Sequence, residues 1–416
     1  MIFSGKTNKK ATNVLWVTIF IATFALYFLL CPAVLLPRKS LHSLCPAVLL
    51  PRKSLHSLCP AVLPPGNPPQ KTKAMNRDTT INNLLCRLSA LLALGLVTAI
   101  ATWGSSAMAQ QPLAMPPFLS MGDTIAVVSP SSTPDTATVE KGCQTLRLWG
   151  YHTVVGSHAL SQCHGFAGTV DERAADLMWA LSDPTVKAIV CTRGGDGAIQ
   201  LLQRLPTGLL RSHPKWLVGF SDVTTLHSAM VQAGVMSIHG SMCHAIGRHL
   251  GQDTVSVSLR RLLSGQLPHY TVDHHQLDQP GQATGTLVGG NLSVISSLAG
   301  SDYDFLNRAD EGLILFIEDK GESMTKVDRM VHQMELRGVL GKLKGIIVGR
   351  FSDYKHPENG FDDMYHMLSF YLSRYDIPVC YNFPVGHAAL NNFPLIEGCR
   401  VSLTVGNDGT ELEFLR

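Results

Sequence analysis

From residue 123 onward, short apolar runs alternate with longer stretches whose apolar positions recur every three or four residues. The first run, Asp123–Val128, reads as a buried strand ending in Ser129-Pro130-Ser131-Ser132. Asp135–Trp149 carries a helical period stopped by Gly150, and Tyr151–Val155 is a second strand. Asp171–Ser182 is helical, with acids in its first turn and Asp183-Pro184 closing it. Val186–Thr192 is a third strand landing on Arg193-Gly194-Gly195-Asp196-Gly197, and Ala198–Leu205 restarts a helix. Trp216-Leu217-Val218-Gly219 is a further strand, and an amphipathic pattern begins at Asp222. Strands alternating with helices predict a mainly parallel α/β sheet, with loops gathered at the carboxyl ends of its strands.

The pattern changes at Leu263. Gly265, Pro268, Pro280, Gly281, Gly285, Gly289 and Gly290 punctuate short strand-like pieces. His269, His274 and His275 among them fit a solvated bend better than a metal site. A linker at 265–284 therefore divides an α/β domain at 110–264 from a smaller, β-rich domain at 285–416. In the latter, Gly312–Ile317 is a strand entering Glu318-Asp319, Thr325–Arg337 is helical, and Gly345–Phe351 is another strand. Asn382–His387 is an extended piece ending on a histidine.

The first hundred residues do not read as fold. An apolar run, Val14–Leu30, follows Lys6, Lys9 and Lys10. Leu30–Ser43 then recurs unchanged as Leu44–Ser57, and a third copy starts at Leu58. Its Cys-Pro-Ala-Val-Leu-Leu-Pro core cannot sustain a helix, and solenoid units are longer, so residues 1–74 read as a non-native or untranslated extension. Met75 opens a cleaner leader: Arg77 and Arg87, an apolar core at Leu88–Thr102, and Ala107-Met108-Ala109 as an A-x-A cleavage site before Gln110. Residues 75–109 are thus expected to be a signal peptide, and the protein periplasmic. The alternative keeps residues 14–30 as a membrane anchor, at the short end of what spans a bilayer.

Removing the leader changes the charge. Residues 1–109 hold 11 of the 34 Lys and Arg and one of the 31 Asp and Glu, leaving 23 basic and 30 acidic side chains, a net of −7. A nucleic-acid partner is not supported. The six later cysteines, Cys143, Cys163, Cys191, Cys243, Cys380 and Cys399, include no C-x-x-C pair. No zinc site is expected, although some could pair in an exported protein.

Chemistry concentrates at three places. Gly219-Phe220-Ser221-Asp222 puts a serine on a strand–turn–helix junction. There Oγ would be exposed and the next amide could face an oxyanion, as in a nucleophile elbow. The pattern is G-x-S-D rather than G-x-S-x-G, and a plain helix cap also fits. The Gly194–Gly195 turn can present amides to an anion or simply turn the chain; no phosphate-loop lysine accompanies it. Glu318 follows the apolar Leu313–Ile317 and needs a partner there, while His387 ends its extended piece. Serine, histidine and an orienting acid are the complement for acyl transfer.

Several segments together resemble the LD-carboxypeptidase family, which includes the microcin C immunity hydrolases. They are Asp171–Met178, Arg193-Gly194-Gly195, Pro214-Lys215 leading to Gly219–Asp222, and Ser237–Gly240. Gly289–Leu292, Phe316–Asp319 with Asp328-Arg329, and Pro384–His387 follow in family order. The resemblance implies an active site between the two domains, a triad of Ser221, Glu318 and His387, and an oxyanion hole from the amides of Asp222, Gly194 and Gly195. It implies no metal or other cofactor, a homodimer, and a murein peptide as partner. The expected activity is hydrolysis of the amide between an L-centre and the terminal D-amino acid of murein tetrapeptides. Alternatives are an amidase acting on peptidyl-nucleotide antibiotics and a catalytically silent periplasmic binding protein. Asp196, Ser241, Thr325 and Ala388 depart from the family pattern, which bears on substrate preference and loop geometry.

Overall fold

The computed structural model describes residues 113–355, 360–387 and 392–415. The apolar run at 14–30, the repeats, the leader at 75–109 and Ala388 lie outside the described residues. Among the described residues no helix is long and apolar enough to cross a membrane.

In chain order the strands are β1 (Thr124–Val128), β2 (His152–Val155), β3 (Val186–Cys191), β4 (Trp216–Gly219), β5 (Ser237–His239), β6 (His269–Val272) and β7 (Gly281–Asn291). They continue as β8 (Leu313–Lys320), β9 (Gly345–Ser352), β10 (Val379–Cys380), β11 (Leu395–Glu397), β12 (Arg400–Val405) and β13 (Thr410–Phe414). One sheet runs β2-β1-β3-β4-β5 in parallel and takes β11 antiparallel on its far edge. The other has the order β10-β9-β8-β7-β12-β13-β6, parallel from β7 to β10 and antiparallel beyond. The fold is α/β, with two mixed sheets.

Alternation along the first sheet explains its continuous apolar runs. Ile125, Val127, Val190, Trp216 and Val218 face a core shared with the second sheet, while Ala126, Val128, Ile189 and Leu217 pack with Leu177 and Leu226 on the opposite face. Side chains point alternately to the two faces, so a strand buried on both must be apolar throughout. The helices begin where caps supply acceptors. Asp135 accepts the Thr138 amide at the start of α1 (Thr136–Leu148). Thr169 and Glu172 form a capping box on α2 (Val170–Ser182).

Three expectations need correction. Ala198–Leu205 is not one helix: a 3-10 turn covers Ala198–Leu201, and α3 (Thr207–Ser212) starts only after Pro206. Proline disfavours helical geometry in the residue before it. The stretch expected as a linker holds β6, which pairs with β13, and the start of β7. Tyr270 is buried while its neighbours His269 and Thr271 are exposed, a one-sided alternation too short to register in the sequence. The extended piece expected at Asn382–His387 joins neither sheet as a strand, although Phe383 and Val385 bond Val348 and Arg350 along β9; Pro384 lacks the amide that a ladder needs. The carboxyl half also carries helices, among them Leu292–Ser297, Met324–Leu336 and Met364–Leu372. The six described cysteines are free thiols.

Candidate active site

The chain leaves β4 at Gly219, passes through an extended Phe220, and enters a 3-10 turn at Ser221–Val223 that runs into a helix at Thr224–Ala233. Ser221 has φ +65°, in the left-handed region. A non-glycine residue held there stores about 1–3 kcal/mol, supported by the surrounding fold. The strained turn projects Oγ out of the strand end. Gly194 closes on it so tightly that a Cβ would lie 3.0 Å from Ser221 Oγ, which only glycine permits. The Gly194 and Gly195 amides donate to no described residue. The Asp222 carboxylate accepts the Ala198 amide at 2.8 Å, tying the serine turn to the end of the glycine turn.

Glu318 lies within β8, two residues from its end, and is fully buried. The β8–β9 register slips between Ile317 and Asp319, so Glu318 sits on a bulge; bulges re-aim a side chain out of the regular ladder. Its Oε2 meets His387 Nδ1 at 2.6 Å, and His387 Nε2 meets Ser221 Oγ at 3.0 Å. The structure therefore brings Ser221, His387 and Glu318 into one hydrogen-bonded row. Burial would lower the His387 pKa, but the hydrogen bond and charge of Glu318 outweigh it and hold the imidazole above its ordinary 6.5. The neighbouring Asp319 points elsewhere, accepting the amides of Ser293 and Lys320; burial raises its carboxyl to about 6.

Beneath the row lies a polar layer not singled out from the sequence. The Asn392 side chain is buried, and its Oδ1 accepts the Gly386 amide at 2.9 Å and faces His239 Nε2 at 3.2 Å. An amide oxygen only accepts, so His239 carries its proton on Nε2; burial keeps the ring neutral by pushing its pKa well down. This pair fixes the loop on which His387 stands. A second buried imidazole, His227, bonds Gly219 O at 2.9 Å under the serine turn, and burial takes its pKa to about 4. His239 belongs to a segment that the sequence marks, but nothing local distinguishes Asn392.

The row opens into a cavity of about 670 Å³ whose lining includes Arg193, Phe220, Ser241, Arg248, Lys320 and Asn392. Phe220 lies 5.1 Å from the His387 ring and 5.8 Å from that of His239, centroid to centroid. Of the departures, Ser241 is buried in the cavity wall, whereas Asp196 and Thr325 are exposed.

The sequence patterns of the LD-carboxypeptidase N-terminal and C-terminal domains match residues 125–240 and 284–403. The chain belongs to the LD-carboxypeptidase family. A Synechocystis relative named as a carboxypeptidase is 36% identical over 310 residues, covering 73% of this chain and 97% of the relative. The murein tetrapeptide carboxypeptidase of Pseudomonas aeruginosa is 30% identical over 276 residues, covering 64% of this chain and 89% of its own. The crystal structure of a muramoyltetrapeptide carboxypeptidase from Oxalobacter formigenes superposes with a TM-score of 0.63 at 27% identity, over 70% of this chain and 99% of that one. The two LD-carboxypeptidase domain matches hold the row between them: Ser221 lies in the first, Glu318 and His387 in the second.

Proposed function

We propose that the protein is a metal-independent serine LD-carboxypeptidase that removes the terminal D-amino acid from murein tetrapeptides. The observation that carries this reading is the Glu318–His387–Ser221 row, at 2.6 and 3.0 Å, of which Ser221 and His387 line the cavity. Ser221 Oγ attacks the scissile carbonyl while His387 Nε2 takes its proton. Glu318 holds Nδ1–H and stabilises the imidazolium. The amides of Asp222 and the Gly194–Gly195 turn receive the oxyanion. His387 then protonates the leaving amine, and a water activated by the same ring releases the acyl group. Every proton has a side chain to carry it.

Incubating disaccharide-tetrapeptide with the purified protein is expected to release D-alanine and the tripeptide by mass spectrometry, with or without a chelator. An unchanged tetrapeptide sinks the proposal; a yield lost to chelator and restored by zinc sinks the mechanism. A peptidyl-nucleotide amidase needs ring surface for a base. Among the described lining residues Phe220 alone is a phenyl or indole ring, and it packs against His387 and His239, which favours the peptide substrate. A silent binding protein has no use for a strained serine bonded to an imidazole. The leader read at 75–109 adds the expectation of a periplasmic enzyme, and the family resemblance that of a homodimer.

The base works only when neutral, so kcat/KM is expected to rise with pH along a limb centred above 6.5, the direction in which Glu318 moves His387. Glu318→Gln removes the charge while keeping the shape, and the limb should move to lower pH as turnover falls. A pH–rate profile of both proteins checks this; an unmoved limb in Glu318→Gln would show that His387 does not titrate against Glu318.

A further inference from the structure

We infer that Arg193, His244 and Arg248 form a receptor for the free carboxylate of the substrate's terminal residue, which makes the enzyme an exopeptidase. This rests on the LD-carboxypeptidase reading and adds the residues that select the chain end.

All three side chains line the cavity into which Ser221 opens. Arg248 Nη2 donates to His244 Nε2 at 2.6 Å, and the His244 amide donates to the carbonyl of Thr192, the residue before Arg193. Arg193 is held by carbonyls only, Nε to Gly194 O at 3.3 Å and Nη1 to Thr133 O at 3.4 Å. Among the described residues neither guanidinium has a carboxylate partner.

The other charges on this wall are committed elsewhere. Asp253 accepts the Ser256 amide and hydroxyl, at 2.9 and 2.7 Å, as the cap of the helix at Thr254–Leu263. Lys320 pairs with Asp353 at 3.4 Å. Burial first, and then both arginines, lower the His244 pKa against the opposing pull of Asp135, so the ring is a neutral acceptor that aims Arg248. Two guanidiniums that pair with no carboxylate among the described residues offer donors to an anion, and a guanidinium fork matches a carboxylate.

The position fits a terminal residue. Arg193 is joined to Gly194, whose Cβ would stand 3.0 Å from Ser221 Oγ. In the substrate, only the amide nitrogen and one Cα separate the scissile carbonyl carbon from the terminal carboxyl carbon, a span of roughly 4 Å. A carboxylate held by side chains that line the same cavity as Ser221 is therefore the one that the leaving residue carries. An internal peptide bond, which puts a neutral amide there, leaves the guanidiniums unpaired and is discriminated against.

The test measures binding, so that turnover does not enter. The full chain carrying Ser221→Ala is titrated with murein tetrapeptide and with its carboxyl-terminal amide. The carboxylate form is expected to bind at least ~10-fold tighter, as the loss of a charge-assisted hydrogen bond implies. Adding Arg248→Gln should bring the two affinities together; Arg248→Lys, which keeps the charge but loses the fork, should restore part of the preference. Arg193 is left in place because it braces the glycine turn. Equal binding of both peptides by Ser221→Ala, or an undiminished preference in Arg248→Gln, overturns the receptor. The underlying reading fails differently: the wild-type protein would bind the tetrapeptide with the same preference and leave it uncut.

Discussion

Ser221→Ala and His387→Ala are each expected to lower kcat by several powers of ten, with the double variant little slower than either. In the proposed mechanism Oγ forms the bond to the carbonyl and Nε2 takes its proton, and these groups meet at 3.0 Å. Neither step proceeds without the other, so removing the second group after the first costs almost nothing more. Affinity for intact tetrapeptide should survive Ser221→Ala, because the hydroxyl contributes to the transition state far more than to the ground state. Glu318→Gln should fall in the same direction but less far. Glu318 is also a fully buried carboxylate whose Oε1 has no partner among the described residues, so it could serve packing alone. In that case the substitution would lower the melting temperature and leave the folded fraction as active as wild type. Melting and turnover measured on one preparation separate the two roles, and a normal rate from Ser221→Ala would end the proposal.

Gly386→Ala is expected to cost turnover about 100-fold without touching a reacting atom. Gly386 has φ +118°, a conformation that alanine rarely adopts, and a Cβ there would lie 2.8 Å from both Cβ and Oε2 of Glu318. The loop must shift, and His387 is the next residue. A displacement near 1 Å at the base is enough for a loss of that size. Backbone strain of about 1–3 kcal/mol also appears as lower stability. Gly300→Ala is the control: φ is +77° there too, but a Cβ would meet nothing within 4 Å. It should destabilise through strain and leave kcat intact. If both variants lose stability and neither loses turnover, the tight seat of the His387 loop has no part in catalysis.

Much of this was legible in one dimension because the physics behind it is local. Strands buried on both faces must be apolar throughout, so β1, β3 and β4 stand out as continuous runs. Helices announce themselves by period and by caps such as Asp135 and Thr169. Ser221 was visible because a strained turn between strand and helix needs a recognisable sequence around it. Where competing local rules met, the pattern misled. Pro206 split an apparent helix, and β6 was too short and too polar on one side to separate from a linker.

By itself, then, the sequence determined the alternating α/β plan and the family, and it pointed to the three residues proposed for acyl transfer. It could not determine that they meet. Ser221, Glu318 and His387 lie far apart along the chain and converge only because two sheets pack through one core and bring their loops together. A bulge in β8 aims Glu318, and a buried Asn392 with its single amide acceptor holds the loop of His387. The pairing of Arg248 with His244 likewise follows from packing, as does the lack, among the described residues, of a carboxylate paired with either guanidinium. Hydrogen-bond partnership and desolvation are properties of neighbours in space, and only the folded chain chooses those neighbours.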